Sequence, residues 1–138
     1  MADLAIHPST DGETATTGSL TEASSRTDDS GDITIATWNI RNGRNGGLES
    51  ACRALDISGI NIAVFQETKL TNDVYTRSSS GYRIVASNAP SAHQGGIAIV
   101  WQEHHMAYEL EEYKFHGGNV VAFRLITGRG KYYIIGGY

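Results

Sequence analysis

The chain has 138 residues, of which 40% are hydrophobic and 19% are charged, and its net charge is −4. This length indicates a single domain with an ordinary core, and no apolar run is long enough to span a bilayer. The N-terminus has neither the basic nor the apolar region of a secretory signal, so we expect an intracellular protein, nuclear or cytoplasmic.

The first 31 residues differ in composition from the rest of the chain. They are mainly Ser, Thr, Gly, Asp and Ala, and their six acidic residues against one arginine give a net charge of −5, whereas residues 32–138 carry +1. Such a segment buries too little apolar surface to offset the entropy lost on ordering. We therefore predict a disordered leader over residues 1–31, either inert or an interaction tail, and one folded unit over residues 32–138.

The folded unit begins with a strand, a helix and a second strand. Residues 33–38 are rich in β-branched side chains and predict the first strand. Four apolar residues then recur at the spacing of one helical face: Leu48, Ala51, Cys52 and Leu55. Ser58-Gly59 ends this predicted helix. Residues 62–65 form the continuous apolar run of a strand covered on both faces. This order predicts a right-handed parallel crossover, with Cys52 as a buried small hydrophobe rather than a nucleophile.

The second part of the chain predicts short strands at hairpin spacing. Residues 70–81 are polar and predict a loop or short helix, and residues 87–94 predict a loop. Strands are predicted at residues 82–86, 95–101, 108–113, 119–126 and 131–138, with a turn at 127–130. Short strands after one parallel crossover predict an α/β protein with a mixed sheet, built as a sandwich.

Polar residues follow the first two predicted strands where each one ends. Asn39 follows the first strand and Glu67 follows the second, and in a parallel pair both would lie at one edge of the sheet. Carboxylate and amide oxygens are ligands that suit Mg²⁺. The alternatives are an Asx turn or cap for Asn39, and for Glu67 a surface carboxylate paired with Lys69 or Arg41.

Two motifs at these positions carry a resemblance. Thr37-Trp38-Asn39-Ile40-Arg41 and Gln66-Glu67-Thr68-Lys69 resemble the first two motifs of the endonuclease/exonuclease/phosphatase family, the DNase-I-like group. The resemblance covers roughly residues 33–138 and implies part of a four-layered α/β/β/α sandwich that hydrolyses phosphoesters with Mg²⁺ or Mn²⁺. The residues of the two motifs are most similar to those of non-LTR retrotransposon endonucleases, which implies DNA as the partner and substrate. Sphingomyelinase-like and inositol-phosphatase-like relatives share both motifs, so lipid or inositol phosphates are the alternative substrates.

The resemblance also implies a role for individual residues. Glu67 would be the metal-binding carboxylate, and Asn39 would orient that carboxylate or a water on the metal, which places Asn39 in both the catalytic and the metal site. Arg41 and Lys69 would contact phosphate or nucleic acid; the alternative is that they are solvated loop charges, and Arg44 is a further candidate of the same kind. Tyr138 matches the position of a family tyrosine that contacts phosphate, although the prolines that follow it in the family are absent here.

The family's later motifs, an Asp-x-Asn after a glycine and a terminal Asp-His pair, do not follow in this sequence. We therefore expect an N-terminal half domain that is weakly active or inactive alone, and whether it is an enzyme stays open. The alternatives are a truncated, non-catalytic binding module, and an enzyme completed by a partner chain that supplies the missing half. Half a sandwich would expose an apolar sheet face and an open edge.

The histidines offer no substitute for the missing motifs. His104, His105 and His116 have no carboxylate at a recognisable spacing that could orient them, so we interpret them as surface residues. His93 is of the same kind but lies in the loop before the strand predicted at residues 95–101. That strand begins with Gly95-Gly96 and resembles a family strand in which close backbone approach needs small residues.

Overall fold

The computed structural model describes residues 3–8, 16–18 and 32–137. The strands are β1 (Asp3–Pro8), β2 (Thr16–Gly18), β3 (Ile35–Asn39), β4 (Ile62–Gln66), β5 (Val74–Arg77), β6 (Tyr82–Ala86), β7 (Ile97–Gln102), β8 (Tyr108–His116), β9 (Val120–Thr127) and β10 (Gly130–Gly137), and the helix is α1 (Gly47–Ser58). In this part of the chain the strands form two five-stranded sheets. Sheet I has the order β2-β1-β10-β9-β8, and sheet II has the order β3-β4-β7-β6-β5.

Helix α1, sheet II and sheet I are stacked as three layers. Side chains of β4 alternate between the two interfaces, since Ala63 and Phe65 pack with the apolar face of α1 while Ile62 and Val64 pack with sheet I. The predicted mixed α/β class is confirmed, with strands outnumbering helices. Within the described residues no helix covers the outer face of sheet I.

The strand–helix–strand unit has the predicted arrangement. Strands β3 and β4 are parallel neighbours in sheet II, and α1 connects them with Ala51, Cys52 and Leu55 buried beneath it. The helix ends at Ser58 and is capped by Gly59, whose φ of 70° is left-handed and whose N–H donates to carbonyls of the last turn. The predicted parallel crossover is therefore confirmed.

Most of the later strand predictions are confirmed as well. Val121, Phe123 and Leu125 all point into the core between the sheets, as their alternation along β9 predicts. The predicted turn after β9 is a two-residue connection, because Thr127 pairs with Gly130 across the hairpin. The confirmed strands correspond to β6, β7, β9 and β10.

Two edge strands differ from the sequence prediction. Strand β5 lies within residues 70–81, where a loop or short helix was expected, and β8 continues to His116, beyond the predicted end at residue 113. Both strands are the last in their sheets and expose polar side chains, so they lack the apolar alternation by which strands are identified. Glu103 helps to hold β5 in place, since it pairs with Arg77 of β5 at 2.5 Å and Arg83 of β6 at 3.1 Å.

Two strands lie inside the segment predicted to be disordered. Strand β1 pairs antiparallel with β10, and β2 pairs antiparallel with β1. For these nine residues the prediction of disorder differs from the structure, because main-chain pairing with the edge of β10 supplies hydrogen bonds that composition cannot reveal. The rest of residues 1–31 lies outside the described part, and the boundary at residue 32 stays a prediction.

The described helix, α1, has twelve residues, so no helix in that part of the chain could cross a membrane.

Strand β10 of sheet I crosses β4 of sheet II in close contact. Gly136 of β10 is buried, and a Cβ atom at this position would lie 2.8 Å from Val64 Cγ2. Since side chains of β4 are themselves packed on both faces, there is no free space into which Val64 could move.

We therefore predict that Gly136→Ala lowers the free energy of unfolding by about 1–3 kcal/mol, the usual effect of overpacking a core. Gly128→Ala is the matched control, because a Cβ atom there meets no other atom within 4 Å. Urea denaturation of the two variants measures the difference, and equal stabilities would contradict this account of the sheet spacing.

A second prediction concerns acid stability. Burial alone would raise the pKa of Glu103, but the hydrogen bonds and charges of Arg77 and Arg83 outweigh it and lower that pKa below its ordinary value. A lowered carboxyl pKa stabilises the fold above the unfolded-state pKa, and this contribution is lost as the pH falls through the folded-state pKa. Glu103→Gln should flatten the loss of stability at acid pH, as the pH falls through the range in which glutamate titrates, measured by urea unfolding over a pH series, whereas Glu112→Gln on exposed β8 should not.

Candidate functional site

The C-terminal ends of β3 and β4, here called the site edge, bring the predicted residues together. Asn39 is in register with Gln66 in the parallel pair, and the Ile40 N–H extends the ladder by donating to the Gln66 carbonyl at 3.1 Å. Glu67 follows Gln66 directly. The prediction that the crossover brings Asn39 and Glu67 to one sheet edge is therefore confirmed.

Asn39 forms an Asx turn at the site edge. Its Oδ1 atom accepts the backbone N–H of Arg41 at 3.0 Å, which is one of the two interpretations that the sequence left open. The side chain is exposed, and its Nδ2 group takes part in no hydrogen bond among the described residues. Asn39 can therefore serve the turn through its oxygen and still donate from Nδ2 to a neighbouring carboxylate or water.

Glu67 is held in an unusual backbone conformation. Its φ is 55°, and Lys69 has a φ of 56°, a left-handed geometry that costs free energy in residues other than glycine and often marks functional sites. Glu67 is half-buried, and within the described part of the chain it forms no ion pair with Lys69, Arg41 or any other cation. Its carboxylate is thus available to a ligand.

The turn that carries Glu67 is fixed from two sides. Thr68 and Lys69 donate their backbone N–H groups to the carbonyls of Gly96 and Gly95, at 3.4 and 3.0 Å. A Cβ atom on Gly96, whose φ is 92°, would lie 2.3 Å from Thr68 Oγ1. The expectation that small residues are needed where β7 begins is confirmed, because this turn packs directly on Gly96.

The loop after β3 supports the same turn. The Gly43 N–H donates to the Thr68 carbonyl at 2.7 Å, and a Cβ atom on Gly43 would come within 3.0 Å of that oxygen. Arg41, with a φ of 64°, and Arg44 are exposed beside this contact. The two arginines and half-buried Lys69 therefore supply positive charge at the site edge, where phosphate contacts were predicted.

Buried polar side chains lie directly beneath the site edge. Gln66 Nε2 donates to Thr37 Oγ1, and this bond joins the ends of β3 and β4. Gln66 Oε1 and Thr68 Oγ1 are buried and have no hydrogen-bond partner among the described residues. Thr37 and Gln66 belong to the two motifs seen in the sequence, but no role was predicted for either; the available signal was a polar residue near the end of each apolar strand.

The histidines do not complete a site. His104 and His105 follow β7, whose end pairs with the start of β4, so they lie at the opposite end of sheet II from Glu67. His93 and His116 are both exposed. Within the described residues no group of three or more His, Cys, Asp or Glu side chains could hold a metal ion.

Cys52 and Tyr138 complete the set of residues considered from the sequence. Cys52 is fully buried beneath α1, and burial raises the pKa of its thiol to about 12, so it is a core residue rather than a nucleophile, as predicted. Tyr138 lies outside the described residues, and its phosphate contact stays a prediction.

In comparisons with known proteins, the chain matches no family and no curated protein.

The buried polar side chains beneath the site edge lead to a stability prediction. Thr37→Val leaves the Gln66 amide without a buried partner and should lower the free energy of unfolding by about 1–3 kcal/mol. Thr68→Val replaces an equally buried hydroxyl that has no partner in the described chain, so this matched control should be neutral or stabilising. Thermal or urea unfolding measures both. Equal losses would mean that Thr68 has a partner, or that Thr37 does not hold the strand ends.

Proposed function

We propose that the chain contributes part of a metal-dependent phosphoesterase site at the site edge. The observation that carries this proposal is the in-register pairing of Asn39 with Gln66, which places an amide and the Glu67 carboxylate at the ends of adjacent parallel strands. The left-handed conformation of Glu67 supports it, since strained backbone is retained where a side chain must be aimed.

The residues present fit Mg²⁺ or Mn²⁺ in part. Glu67 offers one half-buried carboxylate that forms no ion pair within the described residues, and Mg²⁺ commonly binds one or two carboxylates while keeping several waters. When bound, such an ion stabilises negative charge on a phosphoryl group and its leaving group. Since Asn39 Oδ1 already accepts from Arg41, the role we assign to Asn39 is donation from Nδ2 that orients Glu67 or a water.

Positive side chains at the site edge would bind the phosphate. Arg41 and Lys69 lie on the two turns that flank the edge, and Arg44 follows in the same loop. Exposed cations beside a phosphate provide most of the sequence-independent attraction to nucleic acid. By resemblance we propose DNA as the ancestral substrate, cleaved by endonucleolytic hydrolysis with metal-activated water; a phosphoesterase acting on lipid or inositol phosphates is the second candidate.

We propose that hydrolysis by this chain alone is weak or absent. In the described residues Glu67 belongs to no group of three or more His, Cys, Asp or Glu side chains that could hold a metal ion, and we propose that it lacks an oriented general base. We propose that Tyr138 contacts the phosphate, a role that would not replace the general base.

We also propose that a fourth layer, supplied by a partner chain, covers the outer face of sheet I. Tyr133 and Ile135 are each 40% exposed on the outer face of β10 and offer apolar surface that a further layer would cover, although the Arg124 guanidinium lies over the Tyr133 ring. A binding module without catalysis would present this same face to its partner. Such a module is the alternative function that the proposed lack of a general base favours.

The metal proposal predicts that Mn²⁺ binds at the site edge. Substoichiometric Mn²⁺ should broaden the backbone amide NMR signals of Glu67 and its neighbours, because the ion is paramagnetic. Glu67→Gln should abolish this broadening, Asn39→Ala should weaken it, and the control Glu112→Gln on distant β8 should leave it unchanged. Broadening that persists in Glu67→Gln would contradict the assignment of the metal-binding carboxylate.

Catalysis is tested separately, by nicking of supercoiled plasmid in Mg²⁺. We expect the parent chain to nick no faster than Glu67→Ala or Asn39→Ala. Nicking by the parent that disappears in Glu67→Ala would support a phosphodiesterase and contradict the claim that the chain alone lacks a sufficient base.

A further inference from the structure

A cleft of about 690 Å³ opens between the two sheets on the side of the molecule where both sheets end. Strand β5 is the last strand of sheet II and β8 is the last strand of sheet I, and packed, twisted sheets diverge toward their corners. We call this the inter-sheet cleft. The residues that matter for its chemistry are Asp73, Tyr75, Val85, Ser87, Tyr113 and Phe115.

Aromatic rings form the walls of the inter-sheet cleft. Tyr75 is 65% exposed and Tyr113 is 38% exposed, and the ring of Tyr113 meets that of Phe115 edge to face with centroids 5.9 Å apart. The Arg83 guanidinium lies over the Tyr75 ring, 4.5 Å from its centroid, so Tyr113 is the wall on which a planar ring can stack. The walls therefore favour a flat, aromatic ligand.

A buried hydroxyl group lies at the inner end of the cleft. Ser87 is only 9% exposed, and its Oγ atom has no hydrogen-bond partner among the described residues. Val85 faces sheet I while Ala86 faces α1, so the alternation of side chains turns Ser87 back toward the cleft. A buried hydroxyl that no described residue pairs with is unfavourable unless water or a ligand satisfies it.

A carboxylate lies at the rim of the same cleft. Asp73 Oδ1 accepts the backbone N–H of Asn88 at 2.9 Å, which fixes the carboxylate at the mouth and leaves capacity on its second oxygen. Carboxylates accept hydrogen bonds from exocyclic amino groups of nucleobases. The polar features of the cleft are thus one hydroxyl at depth and one acceptor at the rim.

We infer that the inter-sheet cleft binds a nucleobase, stacked on Tyr113 and hydrogen bonded through its polar edge to Ser87, with its amino group on Asp73. A purely apolar ring would leave the hydroxyl unpaired, which is why a heteroaromatic ring fits better. The inference goes beyond the proposed phosphoesterase site and does not depend on it, since Glu67 and the metal take no part.

The test is a titration with nucleoside monophosphates in EDTA, which keeps metal binding out of the measurement. Adenosine and cytidine monophosphates should shift the amide NMR signals of Ser87, Gly117 and Gly118 saturably. Uridine monophosphate, which lacks the exocyclic amino group, should bind more weakly. A short adenine oligonucleotide that binds more tightly than the mononucleotide would assign the base to a nucleic-acid strand, and equal affinity would assign it to a free nucleotide.

Matched variants separate stacking and hydrogen bonding from general effects. Tyr113→Leu should weaken binding about tenfold through lost stacking, whereas Tyr133→Leu, at 40% exposure on the outer face of sheet I, should not. Ser87→Ala should weaken it about fivefold, the usual effect of one hydrogen bond, and Ser50→Ala on exposed α1 should not.

Three results would overturn the inference. They are no saturable shift with any nucleotide, equal weakening by the two tyrosine variants, and binding of phenol or indole as tight as that of adenosine monophosphate. Because every titration is made in EDTA, failure here would leave the Mn²⁺ experiment on Glu67 unaffected, and the reverse holds as well.

Discussion

The double burial of β4 is the constraint on which the rest of the structure depends. All five residues of β4 are fully buried, because β3 and β7 pair with its edges while α1 and sheet I cover its faces. A strand in this position must carry its apolar side chains on both faces and can place polar groups only where it ends. Gln66 and Glu67 are those groups, so the location of the site edge follows from the burial of the strand that precedes it.

At the site edge the backbone is rigidly supported, and the side that would face a ligand is open. Gln66 and Thr37 join the strand ends from below, the Gly95-Gly96 turn supports Thr68 from the side, and Asn39 closes a turn of its own. Glu67 is left between these supports with a fixed backbone and a carboxylate that no cation in the described part of the chain pairs with. Such an arrangement suits a group that must be positioned before its ligand arrives, because little conformational entropy is then lost on binding. It also explains why a residue with a carboxylate is retained at a position with a left-handed backbone, where glycine would cost less free energy.

Periodicity and burial determined which parts of the fold could be predicted. The β3–α1–β4 unit was predictable because its apolar residues follow the period of each element, and the parallel crossover then placed Asn39 beside Glu67. Strands β5 and β8 were missed or shortened because edge strands owe their structure to one neighbour and to ion pairs such as that of Arg77 with Glu103. The hydrogen bond from Gln66 to Thr37 and the inter-sheet cleft at Ser87 depend on register and sheet twist, which no local pattern encodes.

The two tryptophans of the chain lie in contrasting environments, and one of them adjoins the site edge. Trp38 directly precedes Asn39, is 39% exposed, and meets the ring of Phe65 edge to face with centroids 6.0 Å apart. Trp101 is 8% exposed in the core between the sheets. Since indole emission shifts to longer wavelength in polar surroundings, the intrinsic fluorescence of the chain is the sum of two separable components. Iodide would quench the Trp38 component first, which gives the site edge an optical signal of its own.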